Sequence, residues 1–126
     1  ILDMPKNEST NITSLELWNS IEKEFLSDSE RQQINLYVEF LKQTGVMISH
    51  IKTRQKMTKI IIKELRNFSN TAVNYRIATD TILNLFTRQD LREFFLIVSR
   101  EFYPFWINGD QGISYIEQGN LTVNFP

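Results

Sequence analysis

Apolar residues recur at intervals of three and four along most of this chain, the spacing that gathers them on one face of an α-helix. Leu17, Trp18, Ile21 and Phe25 form the first such stripe. Thr13-Ser14-Leu15-Glu16 precedes it, with a hydroxyl at the N-cap and a carboxylate three residues on, the pattern of a capping box. A helix over 14–26 is predicted. Ser27-Asp28-Ser29-Glu30 repeats the signal and opens a helix over 28–43 with Ile34, Tyr37, Val38 and Leu41 inward. Thr44-Gly45 then reads as a helix end, because glycine suits the left-handed C′ position. The stripe runs on to Ile48, so a single helix through Gly45 is the alternative.

The third helix is expected over 46–66, with Met47, Ile51, Met57, Ile61 and Leu65 on its apolar side. Asn67-Phe68-Ser69-Asn70 breaks the pattern. A fourth helix over 71–86 turns Ala78, Ile82, Leu85 and Phe86 inward. Thr87-Arg88-Gln89-Asp90 resembles a further box with Asp in place of Glu. It opens a helix over 88–102 carrying Leu91, Phe94, Phe95, Val98 and Phe102, which Pro104 should end by Tyr103. Beyond it, Asn108–Gly112 is turn material, and two short runs flank Gln118-Gly119-Asn120. The expectation is a mainly α fold: a compact bundle of about five helices with a short C-terminal β-hairpin over 113–125. Residues 1–12 are read as a flexible arm and 13–126 as one helical domain.

Composition adds exclusions. The 126 residues contain no cysteine and one histidine, His50. Disulfides, thiol nucleophiles, cysteine-bound zinc and paired-histidine metal sites are therefore ruled out. The four glycines form no G-x-G and no phosphate-binding loop, and G-x-S-x-G is absent. Neighbouring carboxylates such as Glu22/Glu24 and Asp28/Glu30 sit at polar or capping positions. No catalytic residue, cofactor or metal site is expected, and the chain is read as a non-enzyme. No apolar run approaches the roughly 18 residues of a membrane span, and no cleavable signal is visible, so a cytoplasmic location is expected.

Charge is unevenly spread. Net charge is −1, but residues 1–45 carry eight acids and four bases, whereas 46–78 carry seven bases and one acid. Lys52, Lys56, Lys59, Lys63 and Arg66 fall within an arc of roughly 80° on the third helix. Like charges so spaced repel by a few tenths of a kcal/mol per pair. The face is read as solvated, as neutralised by the acidic first and second helices, or as turned to an anion. No aromatic is interleaved with them in sequence, so phosphate contact without base stacking is the most the helix supports alone.

Two polar residues break the opposite face. Arg54 lies near its middle with His50 one turn earlier. A buried guanidinium needs a partner, either a carboxylate or helix-end carbonyls; the pattern names none, and Glu101, on the edge of the fifth-helix stripe, is one choice. Otherwise Arg54 and His50 line a small pocket for an anion. Nine of the fifteen aromatics lie between Phe86 and Phe125. Tyr103, Phe105 and Trp106 follow the expected end of the fifth helix. They are read either as capping the bundle or as an exposed contact patch.

Two roles follow as expectations. The first is a non-catalytic interaction or regulatory module working through protein contacts, with an unknown protein partner or as a homo-oligomer. Tyr103, Phe105 and Trp106 are its candidate interface. The alternative is a nucleic-acid-binding module using the basic face of the helix at 46–66.

Overall fold

The computed structural model describes residues 16–108. Five helices make up this part, with no strand among the described residues. The helical residues 16–20 pass into a 3-10 turn, Ile21–Lys23, and together form α1. They are followed by α2 (Asp28–Gln43), α3 (Ile48–Leu65), α4 (Ala72–Leu83) and α5 (Gln89–Ile107). The arm at 1–12, the box at Thr13 and the hairpin at 113–125 lie outside the described residues.

The middle of the chain folds as its local signals dictate. At the start of α2 the Ser27 hydroxyl accepts from the Glu30 amide at 3.1 Å, and the Glu30 carboxylate accepts from the Ser27 amide at 2.9 Å. At its end Gly45 adopts φ +82°. The Val46 amide donates to the Leu41 carbonyl and the Gly45 amide to the Lys42 carbonyl, which closes a Schellman motif. Helices α2 and α3 are therefore separate. Ile34, Tyr37, Val38 and Leu41 are all buried, as their spacing predicts.

Helix α3 is the central element and packs on α1, α2, α4 and α5. Its second half is buried over more than half its circumference: Met57, Thr58, Ile60, Ile61, Ile62 and Leu65. The Thr58 hydroxyl is satisfied by donating to the Gln55 carbonyl at 2.7 Å. Tyr75 of α4 is buried and donates to the Ser99 carbonyl of α5 at 2.6 Å. Arg92 of α5 donates to the carbonyls of Leu83 and Phe86, supplying partners at the C-terminal end of α4.

Several expectations are corrected. Helix α1 ends at Lys23 rather than 26, so Phe25 falls on the α1–α2 connection and is 78% exposed. Met47 is the N-cap of α3 and points to solvent, which removes it from the apolar face. The Thr87 box does not form. Arg88 is the N-cap residue, and Asp90 instead pairs with the Arg88 guanidinium and accepts from the Leu91 amide.

The largest correction concerns Pro104. Helix α5 runs through it to Ile107. Proline removes the amide that would bond to the Arg100 carbonyl, at a cost of up to about 3 kcal/mol. The turn it begins buries Phe105 and Trp106, and aromatic burial on that scale offsets the loss. The Pro104 carbonyl then accepts from both the Asn108 amide and its side chain, which ends the helix.

Candidate functional site

The predicted basic face divides into two halves with different surroundings. Its C-terminal half is neutralised within the fold. Arg66, at the C-cap of α3, donates to Glu24 at 2.6 Å, to both oxygens of Glu30 at 3.0 Å, and to the Phe25 carbonyl at 2.5 Å. Lys63 lies 3.4 Å from the other Glu24 oxygen. One guanidinium thus ties the α1–α2 connection to the end of α3. Arg66 leaves the set of anion-binding candidates, because its donors are already occupied.

This cluster carries a pH dependence. Hydrogen bonding from Arg66 holds both the Glu24 and the Glu30 carboxyl below the ordinary value of 4.5, against the opposing effect of partial burial. Their folded-state values lie below the unfolded ones. The associated stability is therefore complete above about pH 4.5 and is lost as pH falls through the depressed folded values. Arg66→Gln should lower stability at pH 7 by about 1 kcal/mol, a figure reduced for partial exposure. It should also flatten the decline below pH 4.5. Urea unfolding at pH 7, 4.5 and 3 checks this; parallel curves for the two proteins would refute it.

The N-terminal half of the face is open. Lys52, Lys56 and Lys59 line a groove of about 490 Å³ together with Trp18, Glu22, Thr53 and Gln55. Trp18 comes from α1, which lies alongside α3. The Lys56 ammonium stands 4.7 Å from the centre of the indole and 3.8 Å from Glu22. Phe86 meets the same indole edge-on at 6.4 Å. Among the described residues lining the groove, Glu22 is the only acid, and neither Lys52 nor Lys59 has a carboxylate within ion-pair distance. The aromatic that is missing from the lysine stripe in sequence is thus supplied by another helix.

A second groove, of about 480 Å³, also borders α1, through Leu17. Leu17, Ile60, Phe68 and Leu85 give it an apolar wall, and Lys63, Glu64 and Asn67 complete the lining. Ile60 is buried at its floor, whereas Phe68 is 38% exposed. Sequence reading missed Leu17, Trp18, Phe68 and Leu85 as site residues. The stripe that carries Leu17 and Trp18 was visible, but which of them meets which groove depends on how α1 docks.

Arg54 is turned inward. It forms an ion pair with Glu101, one of the partners open to it from sequence, and the Tyr37 hydroxyl donates to the same carboxylate oxygen at 2.6 Å. The guanidinium also lies over the Phe94 ring at 5.1 Å, while its Nε has no partner among the described residues. Burial, with the Glu101 charge beside it, pushes the Tyr37 phenol far above its ordinary range, so it serves as a donor at all ordinary pH. Burial opposes the Arg54 charge, but the contacts with Tyr37 and Glu101 outweigh it and raise its pKa. His50 is exposed and meets the same Phe94 ring edge-on, 6.1 Å between ring centres, so the two residues share Phe94 as a neighbour.

The aromatic contact patch is also corrected. Tyr103, Phe105 and Trp106 are 7%, 1% and 7% exposed. Because α5 continues through Pro104, Tyr103 and Trp106 fall on one face and Phe105 on the nearly opposite one, and both faces are covered. Tyr103 and Trp106 pack on Tyr75, and Phe105 packs on Tyr37 and Phe40.

Among the described residues no cluster of three His, Asp or Glu is placed to hold a metal ion, and no helix is long and apolar enough to cross a membrane. No protein-family model, curated protein or solved structure gives a significant match to this chain.

Proposed function

We propose that this chain is a non-catalytic interaction module that binds a protein partner through the apolar groove beside α1. The observation that carries this reading is the wall of Leu17, Ile60, Phe68 and Leu85 in an open groove, with Phe68 at its rim. Partly exposed apolar side chains around a buried floor match the hot-spot pattern of protein contacts. The lining holds one cation, Lys63, and one anion, Glu64, so the groove has no net charge to select a polyion. The fitting occupant is an amphipathic segment of a different protein that seats one or two large apolar side chains. A second copy is disfavoured. The most exposed apolar side chain, Phe25, is not in the groove lining, so copies joined knob to groove would make a heterologous contact and not a self-complementary dimer.

The test is a selection of displayed random helical peptides against the full chain. Amphipathic sequences should emerge. Their affinity should change by less than about twofold between low and moderate salt, as expected for apolar contact. It should fall by about tenfold or more with Phe68→Lys or Leu85→Lys. Selected peptides that are strongly acidic and indifferent to these substitutions would overturn the reading. So would a concentration-dependent dimer of the chain abolished by Phe68→Lys, which would make the second copy the occupant.

A further inference from the structure

We propose that the basic groove between α1 and α3 is a site for a short stretch of single-stranded nucleic acid, lined by residues distinct from those of the apolar groove. One base would stack on Trp18 while phosphates contact Lys52 and Lys59. Three observations converge. Lys52, Lys56 and Lys59 line one groove with a single acid, Glu22, among the described lining residues. An indole forms part of the same wall. The groove, at about 490 Å³, falls within the ordinary size of small-ligand sites.

The present contact of Lys56 with the indole shows how the site would work. The ammonium occupies a position near the ring at 4.7 Å, held on one side by Glu22 at 3.8 Å. Base–aromatic stacking is stronger than an exposed cation–π contact. An arriving base would therefore displace the ammonium, and the freed Lys56 would turn to the adjoining phosphate. Lys52 and Lys59 are two helical turns apart, about 10 Å along α3. That spans roughly three phosphates at the ~3.4 Å rise of a stacked strand. The site is short because the acidic residues of α1 and α2 lie beyond it, with Glu24 and Glu30 already engaged by Arg66. A stiff duplex cannot place a base face on Trp18, and an acidic peptide brings charge without a stacking partner. Both are thus disfavoured against a single strand.

The experiment uses the full chain carrying Trp106→Phe, so that indole emission reports on Trp18. Four probes are titrated at low and moderate salt: a ten-residue oligothymidylate, a duplex of the same length, inorganic polyphosphate and an oligoglutamate. The expected result is that the oligothymidylate quenches Trp18 emission and binds about tenfold or more tighter than polyphosphate. A log–log salt slope of about −1.5 to −2 is expected from two or three phosphate contacts. Lys52→Gln/Lys59→Gln, on surface positions that should not disturb folding, should weaken both probes and flatten the slope. Trp18→Phe, which leaves no indole and is followed by anisotropy of end-labelled probes, should reduce the preference for the oligonucleotide while leaving polyphosphate binding unchanged. Equal binding of oligothymidylate and polyphosphate without quenching would overturn the proposal. So would preference for the duplex or the oligoglutamate, or no binding at low salt. None of these outcomes bears on the apolar groove, whose test uses other residues and is insensitive to salt.

Discussion

Replacing Trp106 with Ser should lower the stability of the domain by about 3–4 kcal/mol and leave its mass in solution unchanged. The indole is 7% exposed and packs on Tyr75 at 5.1 Å between ring centres, in the last turn of α5. Serine would leave a cavity lined by aromatic carbons and place a hydroxyl in it, so the transfer and cavity costs add. A domain of this size has roughly 5–15 kcal/mol to lose, and the melting temperature should drop by roughly 10–20 °C. Trp106→Phe should recover most of the loss. The measurement is thermal unfolding alongside sedimentation velocity. A sedimentation change with unaltered melting would instead place Trp106 at an interface, against the burial described above.

Glu101→Ala should be the most damaging change to a polar residue. It strips the Arg54 guanidinium of its ion pair and the Tyr37 hydroxyl of its acceptor in one step. Breaking a fully buried pair costs about 3–5 kcal/mol. The Glu101 side chain is one-third exposed, so water screens part of this, and about 2–3 kcal/mol is expected. The double variant Arg54→Met/Glu101→Leu should be more stable than Glu101→Ala, because it removes both charges and fills the space. The residual cost is the orphaned Tyr37 hydroxyl, which Tyr37→Phe should relieve. Urea unfolding of Arg54→Met, Glu101→Leu and the double variant gives the coupling between positions 54 and 101. Strict additivity would contradict the pairing.

What the sequence made legible was whatever depends on neighbours in the chain. The Ser27–Glu30 box, the left-handed Gly45 and the inward stripe from Ile34 to Leu41 are local chemistry, and the structure reproduces them. That Arg54 needs a partner was legible, because a charge in the middle of an apolar face demands compensation; that Glu101 supplies it depends on how α5 docks against α3. Rules about helix ends failed where tertiary burial outweighed them. Pro104 should stop α5, yet Phe105 and Trp106 gain more by continuing inward than the missing bond costs. Thr87 offered a cap that Arg88 and Asp90 replaced with their own ion pair. The grooves were invisible for a different reason. Each is built from residues on separate helices, and Trp18 meets Lys56 only because α1 lies along α3. The arc of five cations was read correctly as geometry, but the position of Glu24 and Glu30, which splits it, is set by the fold.

Leu17 and Trp18 are consecutive, yet they line different grooves, so α1 is a wall common to both. Its connection to α2 is tied to the end of α3 by the Arg66 guanidinium and the Lys63 ammonium. Any occupant that favours the seated position of α1 completes the other groove as well. Thermodynamic linkage then requires reciprocity: each occupant raises the affinity for the other by the same factor. That factor is bounded by the fraction of molecules in which α1 is unseated before either arrives. A weaker Arg66 tie would lower both intrinsic affinities and enlarge the cooperativity between them.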